Sequence, residues 1–158
     1  LEMYNPRWVI EGILARSARP GRDLGAHALV PKEKVDSWLA ILRQMGIRSI
    51  LCLLDEKHLQ LYPDLPGGLI AYYRQQGFQV AHLPIRDPAY YPRGWEELEE
   101  NLALAWEMFK ELPWPVLVHC SAGVDRTGRV VEYVLQRLEE EHTGSCQKEI
   151  DRTGKGGI

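Results

Sequence analysis

The stretch Val118-His119-Cys120-Ser121-Ala122-Gly123-Val124-Asp125-Arg126-Thr127-Gly128 sets the reading of the whole chain. A brief apolar run, 115–119, has the length and character of a buried strand and ends at a cysteine. A tight turn containing Gly123 follows. An amphipathic helix is expected over 127–141, with Val130, Val131, Val134, Leu135 and Leu138 on one stripe. Backbone N–H groups of such a turn can converge into a nest for an anion. The helix N-terminus adds free N–H groups and the positive end of its dipole. Arg126 can fork two hydrogen bonds onto a tetrahedral oxyanion. A thiol in this setting titrates between about 3.5 and 7.5, so Cys120 is expected to be a thiolate at neutral pH.

Working outward, strands are expected over 8–14, 47–54 and 78–85, and helices from Pro31 to a stop at Gly46, over 69–76 and over 95–112. The first helix carries Val35, Trp38, Leu39, Leu42 and Met45 at helical spacing; the last carries Leu98, Leu102, Ala105, Phe109 and Leu112. The segment 16–22 (RSARPGR) reads as a basic loop, and 86–94 as another loop. Strands alternating with helices imply an α/β fold, with a mostly parallel central sheet between two layers of helix. Ligands of such sheets sit beyond the carboxyl ends of the strands.

At 158 residues the chain is read as one domain over 1–158, with its core at about 8–141 and a polar tail at 142–158. Leu1 and Glu2 read as a cloning remnant before a native start at Met3. Hydrophobic residues make up 45% and charged residues 26%, which excludes a disordered or collagen-like chain. No apolar run reaches the roughly 20 residues needed to cross a bilayer. A net charge of −3 gives no support for broad nucleic-acid binding. Three cysteines, Cys52, Cys120 and Cys146, do not make a disulfide framework, so a reducing, cytoplasmic setting is expected. His27, His58, His82 and His142 show no metal-ligand clustering with His119, and no cofactor is called for.

His119, Cys120, Gly123, Arg126, Thr127 and Gly128 resemble the signature of the cysteine-dependent protein tyrosine phosphatase superfamily: His-Cys, five residues, then Arg and Ser/Thr. Rhodanese sulfurtransferases are similar but have one residue fewer between Cys and Arg. Low-molecular-weight phosphatases carry the same spacing near the amino terminus. The late position here, after several strand–helix units, resembles the dual-specificity branch.

The resemblance implies roles. Cys120 is the nucleophile, and Arg126 with the amides of Ser121, Ala122, Gly123, Val124 and Asp125 holds phosphate. Thr127 donates its hydroxyl to the Cys120 sulfur or caps the helix, and His119 braces the loop. Asp87, in Pro84-Ile85-Arg86-Asp87-Pro88 and 33 positions before Cys120, matches the family's general acid; Asp125 is the rival. Tyr90, Tyr91 and Trp95 are candidates for a pocket wall or for packing. Cys52 is either a small buried hydrophobe or, as in some relatives, a redox partner for Cys120. Cys146 to Arg152 repeats the Cys–Arg spacing but lacks a preceding strand and a glycine, and reads as coincidence.

The implied activity is hydrolysis of phosphate monoesters, phosphotyrosine and phosphoserine/threonine on proteins or peptides, through a phosphocysteine. Phosphoinositides or an RNA 5′ triphosphate are alternative substrates on the same fold, as is a phosphate-binding module without turnover. The interval Ser-Ala-Gly-Val-Asp has no lysine, which weakens the phosphoinositide reading. The basic loop, Arg86 and Arg93 would favour it if they folded over the site.

Overall fold

The computed structural model describes residues 4–153, with side chains through residue 144. Five strands form one sheet: β1 (Arg7–Ile10), β2 (Leu14–Ala18), β3 (Ser49–Cys52), β4 (Gln79–His82) and β5 (Val116–Cys120). Their order is β1-β2-β5-β3-β4. β1 pairs antiparallel with β2, and every other pairing is parallel. The helices are α1 (Lys32–Met45), α2 (Glu56–Leu59), α3 (Gly68–Gln75), α4 (Gly94–Glu111) and α5 (Asp125–Thr153).

Alternation along the strands divides the core. On one face Ala15, Ile50, Cys52 and Leu117 pack against α1 and α3 through Val35, Trp38, Leu39, Leu42, Leu69 and Tyr73. On the other face Leu14, Leu51, Val116, Val118 and Cys120 meet Leu98, Leu102, Trp106 and Phe109 of α4 and Val130, Val131 and Val134 of α5. The three-layer α/β architecture expected from the strand–helix alternation is therefore present. α1 stops as expected: Gly46 turns left-handed, and the Ile47 N–H reaches back to the Leu42 carbonyl at 3.0 Å.

Three local readings are corrected. The opening segment is a hairpin rather than one strand over 8–14, because Gly12 adopts φ +77° and the Ile13 N–H closes on the Ile10 carbonyl. The segment read as a basic loop begins as strand: Arg16, Ser17 and Ala18 belong to β2, an interior strand beside the central β5. Ser17 can be buried there because its Oγ accepts from Trp38 Nε1 at 3.0 Å and donates to the Ala18 carbonyl at 2.7 Å. The last helix starts at Asp125 and runs to Thr153, so the residues from 142 continue a helix instead of forming a tail. Glu, Lys, Gln and Arg are good helix formers, so a polar composition is compatible with helix as well as with a tail. Cys146 to Arg152 lies inside that helix and so forms no loop. The proposed cloning remnant and residues 154–158 lie outside the described residues.

His119 is fully buried on the α1/α3 face. Trp38 and Tyr73 stack on each other, and both meet the His119 ring edge-on, with centroids 5.4 and 5.9 Å away. Nδ1 donates to the Cys120 carbonyl (3.1 Å), and Nε2 accepts from the Tyr73 hydroxyl (3.0 Å). Burial pushes the imidazole down from 6.5 to about 4 and lifts the Tyr73 hydroxyl well above its ordinary value, so both groups are neutral.

Between pH 6.5 and 4 the unfolded chain thus binds a proton that the folded chain refuses, and stability falls as pH drops through that window. The full effect is about 3 kcal/mol. Urea unfolding of the wild type should lose stability from pH 6.5 to 4 more steeply than that of His119→Asn. Parallel profiles would show that His119 contributes no such term.

Candidate active site

β2, β3, β4 and β5 all end at one edge of the sheet, and the segments leaving that edge build the site. Cys120 is the last residue of β5 and is 2% exposed. The loop that follows lies directly on the end of β2. A Cβ on Gly123 would stand 2.6 Å from the Ser17 carbonyl carbon and oxygen and from the Ala18 nitrogen, and the residue has φ +74°. Glycine is required there on both counts.

Two arginines of the segment read as a basic loop hold this loop from beneath. Arg16 Nη2 donates to the Gly123 carbonyl (2.8 Å). The Arg19 N–H donates to the Ser121 carbonyl (3.0 Å), and Arg19 Nε donates to Ser121 Oγ (3.2 Å). A peptide plane carries its C=O and N–H on opposite sides. Tying down the carbonyls of Ser121 and Gly123 therefore turns the N–H groups of Ala122 and Val124 the other way. Arg19 is 1% exposed and, among the described residues, has no carboxylate as a hydrogen-bond partner; its other bonds go to Tyr62 Oη and to the carbonyls of Gly25 and Ala26. Burial and the charge of Arg7 lower the Arg16 guanidinium, whereas Cys120 acts in the opposite sense.

Arg126, 2% exposed, is fixed by the ends of the other two strands. Its Nη1 donates to the Ile85 carbonyl at 2.8 Å and to the Leu53 carbonyl at 3.5 Å. Its Nη2 meets Asp87 Oδ2 at 3.3 Å. The structure thus brings Cys120, Arg126 and Asp87 to one edge. Asp87 is held within its own turn: Oδ1 accepts from the Ala89 N–H (2.9 Å), and its carbonyl accepts from the N–H groups of Tyr90 and Tyr91 (3.0 and 3.1 Å). Asp125 opens α5 and is exposed, as is Val124. Thr127 is fully buried, and its Oγ1 has no hydrogen-bond partner among the described residues; the expected hydroxyl–sulfur bond is not formed.

Other expectations meet different geometry. Cys52 is opposite His119 in the β3–β5 register and packs on the α1/α3 face, whereas Cys120 packs on the α4/α5 face. Both thiols are free, and burial pushes Cys52 up to about 12. A Cys52–Cys120 bond would need the strand end to turn a side chain through the sheet. Arg86 and Arg93 do not stand as free charges over the site: Arg86 is paired with Glu97, and Arg93 with Glu96. Of the aromatic trio, Tyr90 lies under Lys57 Nζ (3.7 Å to the ring centroid) and Tyr91 under Arg86 (4.9 Å), while Trp95 is exposed.

Asp55 escaped the sequence reading. It is buried just beyond β3 and accepts from His58 Nδ1 at 3.2 Å. Burial works to raise its carboxyl, but the His58 contact and the charges of His58 and Arg126 outweigh burial and hold it below the usual range. A lone Asp followed three residues later by His carries no signal that either will be buried. Among the described residues no group of three His, Cys, Asp or Glu side chains is placed to hold a metal, and no helix is long and apolar enough to cross a membrane.

No curated protein matches the chain. Among solved structures it is similar to TpbA from P. aeruginosa, a cysteine-to-serine variant in complex with pTyr, at 18% identity and a TM-score of 0.41. The similarity covers 80% of this chain and 65% of that one, so this chain spans less than two thirds of that protein's length. A family model described as "Polymorphic toxin system, DSP-PTPase phosphatase" matches residues 25–140, a span that takes in Asp87, Cys120 and Arg126. A match over that much of the sequence means that the chain belongs to the DSP-PTPase phosphatase family of polymorphic toxin systems.

Proposed function

We propose that the protein hydrolyses phosphate monoesters, phosphotyrosine and phosphoserine/threonine of proteins or peptides, by way of a phosphocysteine. The observation that carries this reading is the convergence of four strand ends. Cys120 is buried at the floor of a loop whose carbonyls are tied away, and Arg126 touches Asp87. Substrate phosphate docks on the amides of residues 121–126 and takes the Arg126 Nη2 edge that Asp87 occupies in its absence. The Cys120 thiolate attacks phosphorus in line. The P–O bond to the leaving group breaks, and Asp87, released from Arg126 and having taken up a proton from solvent, gives that proton to the leaving oxygen. Asp87, now a carboxylate, takes a proton from water as the water attacks the phosphocysteine. Inorganic phosphate leaves and the thiolate is restored. The fixed loop amides and Arg126 stabilise charge on the equatorial oxygens without reorganising.

Several supporting roles follow. Thr127, whose buried hydroxyl is unpartnered, is assigned to the departing sulfur in the second step. His119, neutral and bonded to the Cys120 carbonyl, braces the loop. Asp87 is preferred to Asp125 as the acid because it contacts Arg126, whereas Asp125 faces solvent on the first turn of α5. The pairing of Arg86 and Arg93 with glutamates removes the positive rim that a polyanionic lipid headgroup or an RNA 5′ triphosphate would call on, which favours a protein monoester.

Turnover of 4-nitrophenyl phosphate should proceed in the presence of a metal chelator and be inhibited by vanadate. Cys120→Ser should abolish turnover while retaining phosphopeptide binding; a serine variant that still turns over removes Cys120 from the mechanism. Asp87→Ala should slow turnover of phenyl phosphate, whose leaving oxygen is basic, by about 10²–10⁴-fold. If it does not, and Asp125→Ala does, the acid is Asp125.

A further inference from the structure

We infer that the first turn of α4 is the seat of the acid loop, and that Gly94 and Glu97 are positioning residues that set where Asp87 stands. The inference rests on the phosphatase reading above.

Gly94 opens α4 and is buried. It has no positive φ, so backbone conformation does not demand glycine there. Space does. A Cβ at this position would lie 2.5 Å from Pro88 Cα, 2.8 Å from Pro88 N and 3.2 Å from the Arg86 carbonyl oxygen. All three are backbone atoms and cannot swing aside as a side chain would. Glycine is a poorer helix residue than alanine, so its presence here answers to this contact. Ordinary van der Waals separation would require the loop to move by about 1 Å.

Glu97, one turn on, faces the same loop. Its Oε1 and Oε2 accept from Arg86 Nε at 2.8 and 3.1 Å, and Oε1 also accepts from Arg86 Nη2. The Arg86 guanidinium in turn lies over Tyr91, and the Gly94 N–H closes on the Tyr91 carbonyl at 3.0 Å. The other flank of the loop is held by Tyr90, which sits under Lys57 of α2 and reaches His27 Nε2 at 3.4 Å. Asp87 stands between these two flanks. Three hydrogen bonds from Ala89, Tyr90 and Tyr91 tie it to its own turn, so a shift of Pro88 carries the carboxyl with it. A displacement of about 1 Å at a reacting group is enough to lower a rate by about 100-fold.

A misplaced acid has a kinetic signature that general destabilisation lacks. A proton on the leaving oxygen matters greatly when the leaving group is basic and little when it is not. Wild type, Gly94→Ala and Glu97→Gln are compared by kcat/KM, which reports only the steps through the first P–O cleavage, on 4-nitrophenyl phosphate and on phenyl phosphate, with melting temperatures measured alongside. Both variants should keep the 4-nitrophenyl phosphate rate within about threefold and lose about tenfold or more on phenyl phosphate, Gly94→Ala the more severely. Glu97 is on the surface, so Glu97→Gln keeps the test open even if Gly94→Ala folds poorly. Equal loss on both esters, or no loss on either, overturns the inference while leaving the phosphatase reading intact. A wild-type chain that turns over neither ester overturns both.

Discussion

The contact between Gly123 and the end of β2 is the constraint on which the site depends. A loop can present its amides to an anion only if its carbonyls are bound elsewhere. Here β2 provides both the surface and the donors: the backbone of Ser17 and Ala18 lies where any Cβ would be, and Arg16 and Arg19 take the carbonyls. The rest of the sheet edge is arranged around that contact. β3 and β4 run on just far enough for the carbonyls of Leu53 and Ile85 to hold Arg126, which fixes the cation at the rim of the same loop.

The charges of the site divide by depth. Beneath the loop the groups are neutral or cationic: His119 with Tyr73, then Arg16 and Arg19. Two carboxylates, Asp87 and Asp55, lie within the field of Arg126, one in contact with it and one through space. Under the proposed function an incoming phosphate meets buried cationic side chains and an arginine whose present partner is the Asp87 carboxylate. That arrangement favours the anion without leaving Arg126 unpaired in its absence, a state that burial would make costly.

Much of this was legible in the sequence, for identifiable reasons. The buried strand, glycine turn and helix around Cys120 could be read because apolar run, turn residue and apolar stripe each have a distinct pattern. The boundaries of α1 and α4 were equally open, one because Pro31 and Gly46 punctuate it and the other because its stripe is long. What escaped were polar residues that become buried through long-range partners. Arg16 and Ser17 look like loop residues until Gly123, 107 positions from Arg16, and Trp38 satisfy them. Asp55 and His58 gain their meaning only from the proximity of Arg126. The reach of α5 was missed because a polar helix and a polar tail share a composition. The side of the sheet that Cys52 faces depends on register, which no local pattern fixes.

Under the proposed function, the sulfur of Cys120 is the atom that receives the phosphoryl group. Acid quenching during turnover of an aryl phosphate, followed by peptide mapping, tests this most directly. The account predicts one phosphoryl group on the peptide that ends at Arg126, bonded to Cys120. Sustained turnover with no phosphoryl group on Cys120, or with the phosphoryl group on a histidine or aspartate, would contradict it.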